Sequence, residues 1–273
     1  MPPHTPYLPP PPYWDQYAED PPATFDGIDP APNDYYRLRM QASEKLIHNM
    51  RDRYDENVAY ADALVGRILE LLRDRGRYDD AMVILLADHG EAFFEHGYFF
   101  HRKTVHEEVL RIPLVIKWPA SMGGYSSVIE QHVSLVDLGP TLVDGLGISD
   151  MGAQFQGVSL LPAIFDDATT DRAVYAITRP SNQVQHPARA LYRGPKKVIL
   201  DENSAPQLYD LSLDPMEQNN EVRAEPVLTQ PLLQELLAQQ RCNQILLASA
   251  GQVPQIELDP ERLRELRALG YIQ

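Results

Sequence analysis

The chain has 273 residues, 44% of them hydrophobic, and carries 24 basic against 39 acidic side chains for a formal charge of −15. That length supports one large domain or two modest ones, with ample apolar surface to bury. The charge argues against a nucleic-acid surface, and a single cysteine, Cys242, excludes an intrachain disulfide and a cysteine-rich zinc site.

The opening residues, MPPHTPYLPPPPYW, have neither the basic region nor the apolar stretch of a signal peptide, and the longest apolar runs, such as MVILLA at 82–87, are of strand length. No signal peptide and no membrane span are predicted, which places the chain in the cytoplasm by default. Residues 1–34 are dense in proline and aspartate and read as an extended, turn-rich segment, packed on something else or loose. From Tyr54 to Arg75 the apolar positions Val58, Ala61, Val65, Ile68, Leu69 and Leu72 fall at helical spacing, and Gly76 sits where a helix would stop. A strand at 82–87, a loop to about 104, a short helix near 105–110 and a second strand at 113–118 follow. Short apolar runs alternating with helices predict a mostly parallel sheet buried on both faces, with these two strands as parallel neighbours.

At Ser134-Leu-Val-Asp-Leu-Gly-Pro-Thr141 a strand end turns into a helix, with Asp137 as its N-cap and Pro140 in its first turn. Beyond about residue 150 the pieces become shorter, at 173–178, 190–193, 197–200 and 208–220, and suit a small antiparallel layer. A final long helix is expected from Thr229, with Pro231 in its first turn, to Ala250, with Cys242 as a small core residue; a shorter one ends at Gly270. The expected division is therefore 1–150 and 151–273.

The residues that invite chemistry stand where the strand at 82–87 ends. Val83-Ile-Leu-Leu-Ala87 runs straight into Asp88, His89 and Gly90. In a parallel α/β sheet, ligands gather outside the carboxyl ends of strands, and a carboxylate beside an imidazole can hold a divalent cation that accepts mixed oxygen and nitrogen donors. The other reading is that Asp88 caps the following turn and His89 makes a satisfied core hydrogen bond. His96 and His101 follow in an aromatic loop, and Arg102 and Lys103 adjoin His101, a suitable place to hold an oxyanion. His4 lies far upstream in Pro-His-Thr-Pro.

Taken together, PHTPYLPPPPY at 3–13, YDENVAYADALVGRILELLRDRGRYDDAMVILLADHGEAFFEHG at 54–97, HRKTVHEEVLRIPLVIKWP at 101–119, SLVDLGPTLVDGLGI at 134–148 and LYDLSLDPMEQNN at 208–220 resemble the sulfatases of the alkaline phosphatase superfamily. The resemblance implies an alkaline-phosphatase-like α/β fold, truncated on its amino-terminal side, followed by a small α+β subdomain with an antiparallel sheet. It implies a metal-dependent hydrolase of sulfate esters, or of phosphate or phosphonate esters in sister groups, acting on a small molecule or glycan. Asp88 and His89 stand at positions that bind a divalent metal, usually calcium, and the imidazole of His89 suits manganese or zinc as well. His4 and His101 stand where the family contacts the sulfate or protonates the leaving group. Arg102 or Lys103 takes the place over the sulfate if the loop register shifts.

This sequence departs from the family pattern at Phe94, where glycine is common, and at His106, where tyrosine is common. The family's nucleophile, a formylglycine made from a Cys/Ser-x-Pro/Ala-x-Arg motif, does not occur here, since Cys242 is followed by Asn243, Gln244, Ile245 and Leu246. The expectation is a carboxy-terminal portion with half of a metal site, inactive alone and partnered by a missing amino-terminal half. The alternatives are a phosphodiester or phosphonate hydrolase of the same superfamily, and a non-catalytic remnant. In either enzyme, His4, His89 and His101 should converge on Asp88.

Overall fold

The computed structural model describes residues 2–17, 42–123, 128–148, 155–165, 171–178, 187–201 and 204–249, with Asp259, Arg262 and Arg264. Of the expected short helix ending at Gly270, residues 265–270 lie outside these described residues, as do residues 18–34 of the proline-rich segment.

The first helix, α1, spans Glu44–Asp74 and so begins ten residues before the apolar periodicity announces it. Ser43 explains the early start, because its side chain accepts a hydrogen bond from the Leu46 amide and satisfies one of the donors a helix start leaves open. Gly76, at φ 60°, ends it as expected. The buried positions of α1 are Met50, Arg53, Glu56 and Asn57, whereas Val58 and Ile68 of the apolar stripe are 40% and 59% exposed. The segment 2–17 packs on the first half of the helix, so that half is the one covered.

Strand β1 (Val83–Leu86), the one-turn helix α2 (Glu107–Leu110) and strand β2 (Leu114–Lys117) follow. The two strands are neighbours in one sheet, but they run antiparallel, with Leu85 opposite Val115, which corrects the expectation of a parallel pair. A parallel return needs a crossover with a helix long enough to span the sheet, and the connection here offers only the single turn of α2. Nor is this pair buried on both faces: Leu85, Leu86 and Val115 are 44%, 38% and 57% exposed. Lys117 fastens the pair at its base, its ammonium donating to the carbonyls of Tyr78, Asp79 and Ala81 just before β1.

Asp137 is the N-cap residue of the helix that follows, as expected, but its side chain caps the preceding 3-10 turn and not that helix. It ends a 3-10 turn before α3 (Leu138–Gly145), and its fully buried carboxylate accepts from the amides of Ser134 (2.8 Å) and Val158 (3.0 Å) and pairs with Arg172. A short helix α4 (Leu161–Phe165) leads to the antiparallel sheet of β3 (Val174–Ile177), β4 (Arg189–Arg193), β5 (Lys196–Leu200) and β6 (Gln207–Asp210), in that spatial order. Strand alternation gives this sheet two faces. Leu191, Val198 and Leu208 meet Leu236 of α5 (Pro226–Ser249), while Ala190, Tyr192, Ile199 and Tyr209 meet Val105. Helix α5 begins at Pro226, not at Thr229; the Thr229 hydroxyl and amide both bond to the Glu225 carbonyl, which places the start one turn earlier. Cys242 is exposed on α5, correcting its assignment to the core. No helix among the described residues is long and apolar enough to cross a membrane.

Lys197 is the exception on the second face. Its side chain is fully buried, and its ammonium lies 2.8 Å from Glu107 of α2 and 2.8 Å from Glu217. Burial alone would lift the Glu107 carboxyl, but Lys197 and the Tyr192 hydroxyl, which donates to it at 2.6 Å, hold it below its ordinary value. Glu217 in turn accepts from the Glu107 amide at 2.6 Å. Deleting one member leaves an unpaired charge inside, so Lys197→Ala is expected to destabilise the chain by about 3–5 kcal/mol, read from urea unfolding. A change below about 1 kcal/mol would mean that the network does not hold the sheet to α2.

Candidate active site

The loop after β1 is shaped by its glycine and its aromatic residues. The Gly90 amide donates to the Val109 carbonyl at 2.8 Å, and a Cβ at Gly90 would lie 2.2 Å from the Glu108 carbonyl oxygen, so the chain passes α2 at a distance that only glycine allows. Downstream, Phe93 and Phe99 form a bridge, and Phe94, at φ 78°, occupies the left-handed region. Glycine would adopt that conformation without strain; Phe94 offsets the cost by stacking on Phe99 at 5.0 Å. Phe93, Phe99 and Phe100 then bury themselves with Tyr7 and Met50. The chain turns back on itself and carries His101 past His89.

The amino-terminal segment is fixed onto this core. Tyr7 meets Tyr54 and Phe93 with ring centroids 5.6 Å and 6.2 Å away. Further along, Arg53 of α1 lies 4.0 Å under the Trp14 ring and 2.7 Å from Asp15, and the Tyr17 amide donates to Glu56 at 3.1 Å. Arg53 and Glu56 are themselves paired at 2.9 Å and buried. The segment is therefore docked, and His4 stays at a defined place.

That place is beside His101. The His4 and His101 ring centroids are 5.6 Å apart, and His89 stacks on His101 at 3.8 Å with 20° between the planes. The three imidazoles thus meet from three separate stretches of sequence, next to Asp88, whose Oδ1 is 3.8 Å from His89 Nε2. Arg102, exposed, and Lys103, half-buried, follow His101 on the same turn.

Asp88 is 75% exposed and His89 34%, so both are open to a ligand from solvent. The donor set suits a cation. His89 Nδ1 lies 2.8 Å from the Gly90 carbonyl, which can only accept; Nδ1 therefore carries the proton, and Nε2 presents its lone pair on the side of the Asp88 carboxylate. Two donors are a fraction of the shell that a hard divalent cation requires. Two neighbours escaped the sequence reading. Glu91 accepts from the Tyr7 hydroxyl at 2.9 Å and pairs with His101 Nδ1 at 2.9 Å. Both residues sit inside the quoted motifs, but spacing gave no sign that they would meet.

A second histidine pair lies deeper, where His96, His106 and Glu108 bring ligand-type atoms within 4.8 Å of one another. The His96 and His106 rings stack at 3.8 Å and 5°, so their nitrogen lone pairs run parallel and do not converge on one point. Each ring nitrogen also has a protein partner: Glu108 (2.9 Å) and the Glu217 carbonyl (3.1 Å) for His96, Thr104 (2.5 Å) and Gln207 (3.2 Å) for His106. The two imidazoles are pushed in opposite directions. Burial alone would lower His96, but Glu108 and the Glu217 carbonyl raise it, whereas burial, His96 and Lys197 push His106 down to about 3.

Comparison with known proteins bears on the family and the fold. Residues 1–148 match the family model described as sulfatase, and residues 94–243 match the carboxy-terminal model of N-sulphoglucosamine sulphohydrolase. Arylsulfatase K of Bos taurus is 31% identical over 220 residues, covering 75% of this chain and 40% of that protein. N-acetylglucosamine-6-O-sulfatase of Bacteroides thetaiotaomicron is 30% identical over 207 residues, covering 71% and 36%. Among solved structures, one in complex with its substrate D-glucosamine-2-N,6-O-disulfate superposes with a TM-score of 0.62 at 26% identity over 76% of this chain and 44% of that one. The phosphonate monoester hydrolase of Agrobacterium radiobacter, at 23% identity and a TM-score of 0.62 over 72% and 42%, shares the fold. The chain thus spans about two fifths of the length of these relatives.

Two outcomes are expected. Gly90→Ala forces the loop away from α2, which should cost about 1–3 kcal/mol as overpacking does and move the His89 ring signals; unchanged stability would show that the contact is not tight. The histidine pair gives the stability a pH dependence. The raised His96 contributes below its ordinary value of 6.5 and loses that contribution as pH rises through its folded value, while His106 costs stability as pH falls from 6.5 toward about 3. From these two groups, stability should peak near 6.5. In urea midpoints measured against pH, His96→Gln should flatten the alkaline limb and His106→Gln the acid limb, and limbs that both variants leave unchanged would assign the pH dependence elsewhere.

Proposed function

Because the chain belongs to the sulfatase family, we propose that it supplies part of the active site of a divalent-metal-dependent sulfuric ester hydrolase: two metal ligands and the histidines that contact the ester. The observation that carries this reading is the meeting of His4, His89 and His101 beside Asp88.

Asp88 and His89 would hold the cation, calcium in the first place, with manganese or zinc suited by the imidazole donor. A cation there offsets charge on the sulfate oxygens. His4 and His101 act on the ester itself, binding a sulfate oxygen or giving a proton to the leaving oxygen, as positioned imidazoles do near neutral pH. Lys103 adds positive charge beside them. The substrate class is a sulfate ester, with sulfated sugars favoured by the relatives that act on or bind glucosamine sulfates. Residues 1–150 carry the site and residues 151–273 form the supporting α+β unit.

The nucleophile is not among these residues. Cys242, the one cysteine, lies exposed on α5 and lacks the flanking proline and arginine of the formylglycine motif, so the covalent step belongs to the part of the fold that this chain does not span. Positioned acid–base groups alone contribute about 10²- to 10⁴-fold, far short of what sulfate ester hydrolysis needs.

The purified chain with calcium or manganese is expected to turn over no 4-nitrophenyl sulfate. Mixed with an amino-terminal half bearing formylglycine, it should regain turnover, lost in Asp88→Ala and cut by about 10²- to 10⁴-fold in His101→Ala. Robust turnover by the chain alone, or a recombined protein that prefers a phosphonate ester to the sulfate, would overturn this assignment.

A further inference from the structure

Glu91 has an unusual position for a carboxylate in so acidic a chain. Its side chain is 5% exposed, and its two oxygens engage groups from different parts of the sequence: Oε2 accepts from the Tyr7 hydroxyl at 2.9 Å, and Oε1 lies 2.9 Å from His101 Nδ1. Neither partner is there by accident of flexibility. Tyr7 is buried in the aromatic core against Tyr54 and Phe93, and the His101 ring is held flat against His89.

An ionised carboxylate has no proton to give, so both of its partners must donate. Burial, with Glu91 beside it, lifts the Tyr7 phenol well above its ordinary value, which keeps that proton on the oxygen and directed at Glu91. The same logic fixes His101: Nδ1 must carry a proton, and Nε2 is the nitrogen left free of Glu91, an acceptor in the neutral ring and a donor in the imidazolium. A buried carboxylate with one donor on each oxygen is satisfied in a single arrangement, which makes it a means of setting geometry.

We propose that Glu91 is a positioning residue for His101: clamped by Tyr7, it fixes the ring and keeps a proton on Nδ1, so that Nε2 is the nitrogen turned to the ester, and the one that gains and gives the proton donated to a sulfate or leaving oxygen. The proposal rests on the reading of His101 as a residue that meets the substrate. It goes further by assigning which nitrogen works and what selects it. It also gives Tyr7 a part, because Tyr7 lies three residues after His4, and its bond to Glu91 ties the segment carrying one histidine to the partner of the other.

The test reads the proton directly. In long-range proton–nitrogen correlation spectra of the nitrogen-15-labelled full chain, recorded with the ring neutral, His101 is expected to show a protonated Nδ1 and an unprotonated Nε2. Glu91→Ala should lose that preference and shift the proton toward Nε2, while the His96 and His106 ring signals stay in place and report an intact fold. Should the alanine chain fail to fold, Glu91→Leu fills the buried volume and carries the same expectation. Tyr7→Phe keeps the His101 bond and should keep the Nδ1–H form. A wild-type His101 protonated on Nε2, or a folded Glu91 variant with an unchanged tautomer, overturns the proposal. Because the readout is the tautomer and not turnover, a chain with the expected proton that still supports no ester hydrolysis would refute the functional reading alone.

Discussion

A fully buried ammonium cannot be left alone, and the placement of Lys197 follows from that constraint. Its carboxylate partners come from two different places, Glu107 in the one-turn helix α2 and Glu217 beyond β6, so satisfying one charge on the antiparallel sheet fixes both. Helix α2 has too few residues to be stable by itself. Held by Lys197, it becomes the platform on which the loop after β1 rests, since the Gly90 amide bonds to the Val109 carbonyl and the His96 ring to Glu108. The geometry of the histidine cluster therefore depends on a charge pair on the other side of α2.

The second support is apolar. Phe93, Phe99 and Phe100 share a core with Tyr7 and Met50, which unites the loop, the amino-terminal segment and α1. Aromatic side chains are well suited to this, because few rotatable bonds are frozen for each large area buried. The Arg53–Glu56 pair completes the docking by giving Trp14, Asp15 and the Tyr17 amide something to bind. Its partners on α1 are charged, which is why the helix buries polar residues in its first half while its apolar stripe remains half-open.

The two histidine pairs show how one side chain serves opposite ends. His96 and His106 lie almost face to face with every nitrogen engaged, and they stabilise the loop. His89 and His101 also stack at 3.8 Å, but each gives Nδ1 to a protein hydrogen bond, the Gly90 carbonyl in one case and Glu91 in the other, while His89 Nε2 faces Asp88 at 3.8 Å. Under the proposed function a ring nitrogen must stay open to metal or substrate, and the difference between the pairs lies in the partners, not in the residue type.

Much of this was legible in the chain itself. The blocks from PHTP to LYDLSLDPMEQNN carried the family and pointed to Asp88, His89, His101 and His4, because motif residues are fixed by chemistry that tolerates few substitutes. The short strand-like pieces beyond residue 150 located the strands of the antiparallel sheet within a residue or so at most ends, whereas the close passage at Gly90 and the left-handed turn at Phe94 emerged only from the structure. Other features were decided only in three dimensions. The β1–β2 pair runs antiparallel, α1 buries Arg53 and Glu56 in place of its apolar stripe, and Glu91 joins Tyr7 to His101 across 84 and 10 residues of sequence. Local propensity and spacing report what a segment can do with its near neighbours. Which carboxylate meets which imidazole is set by contacts between distant segments, whose energies exist only once the core has closed around them.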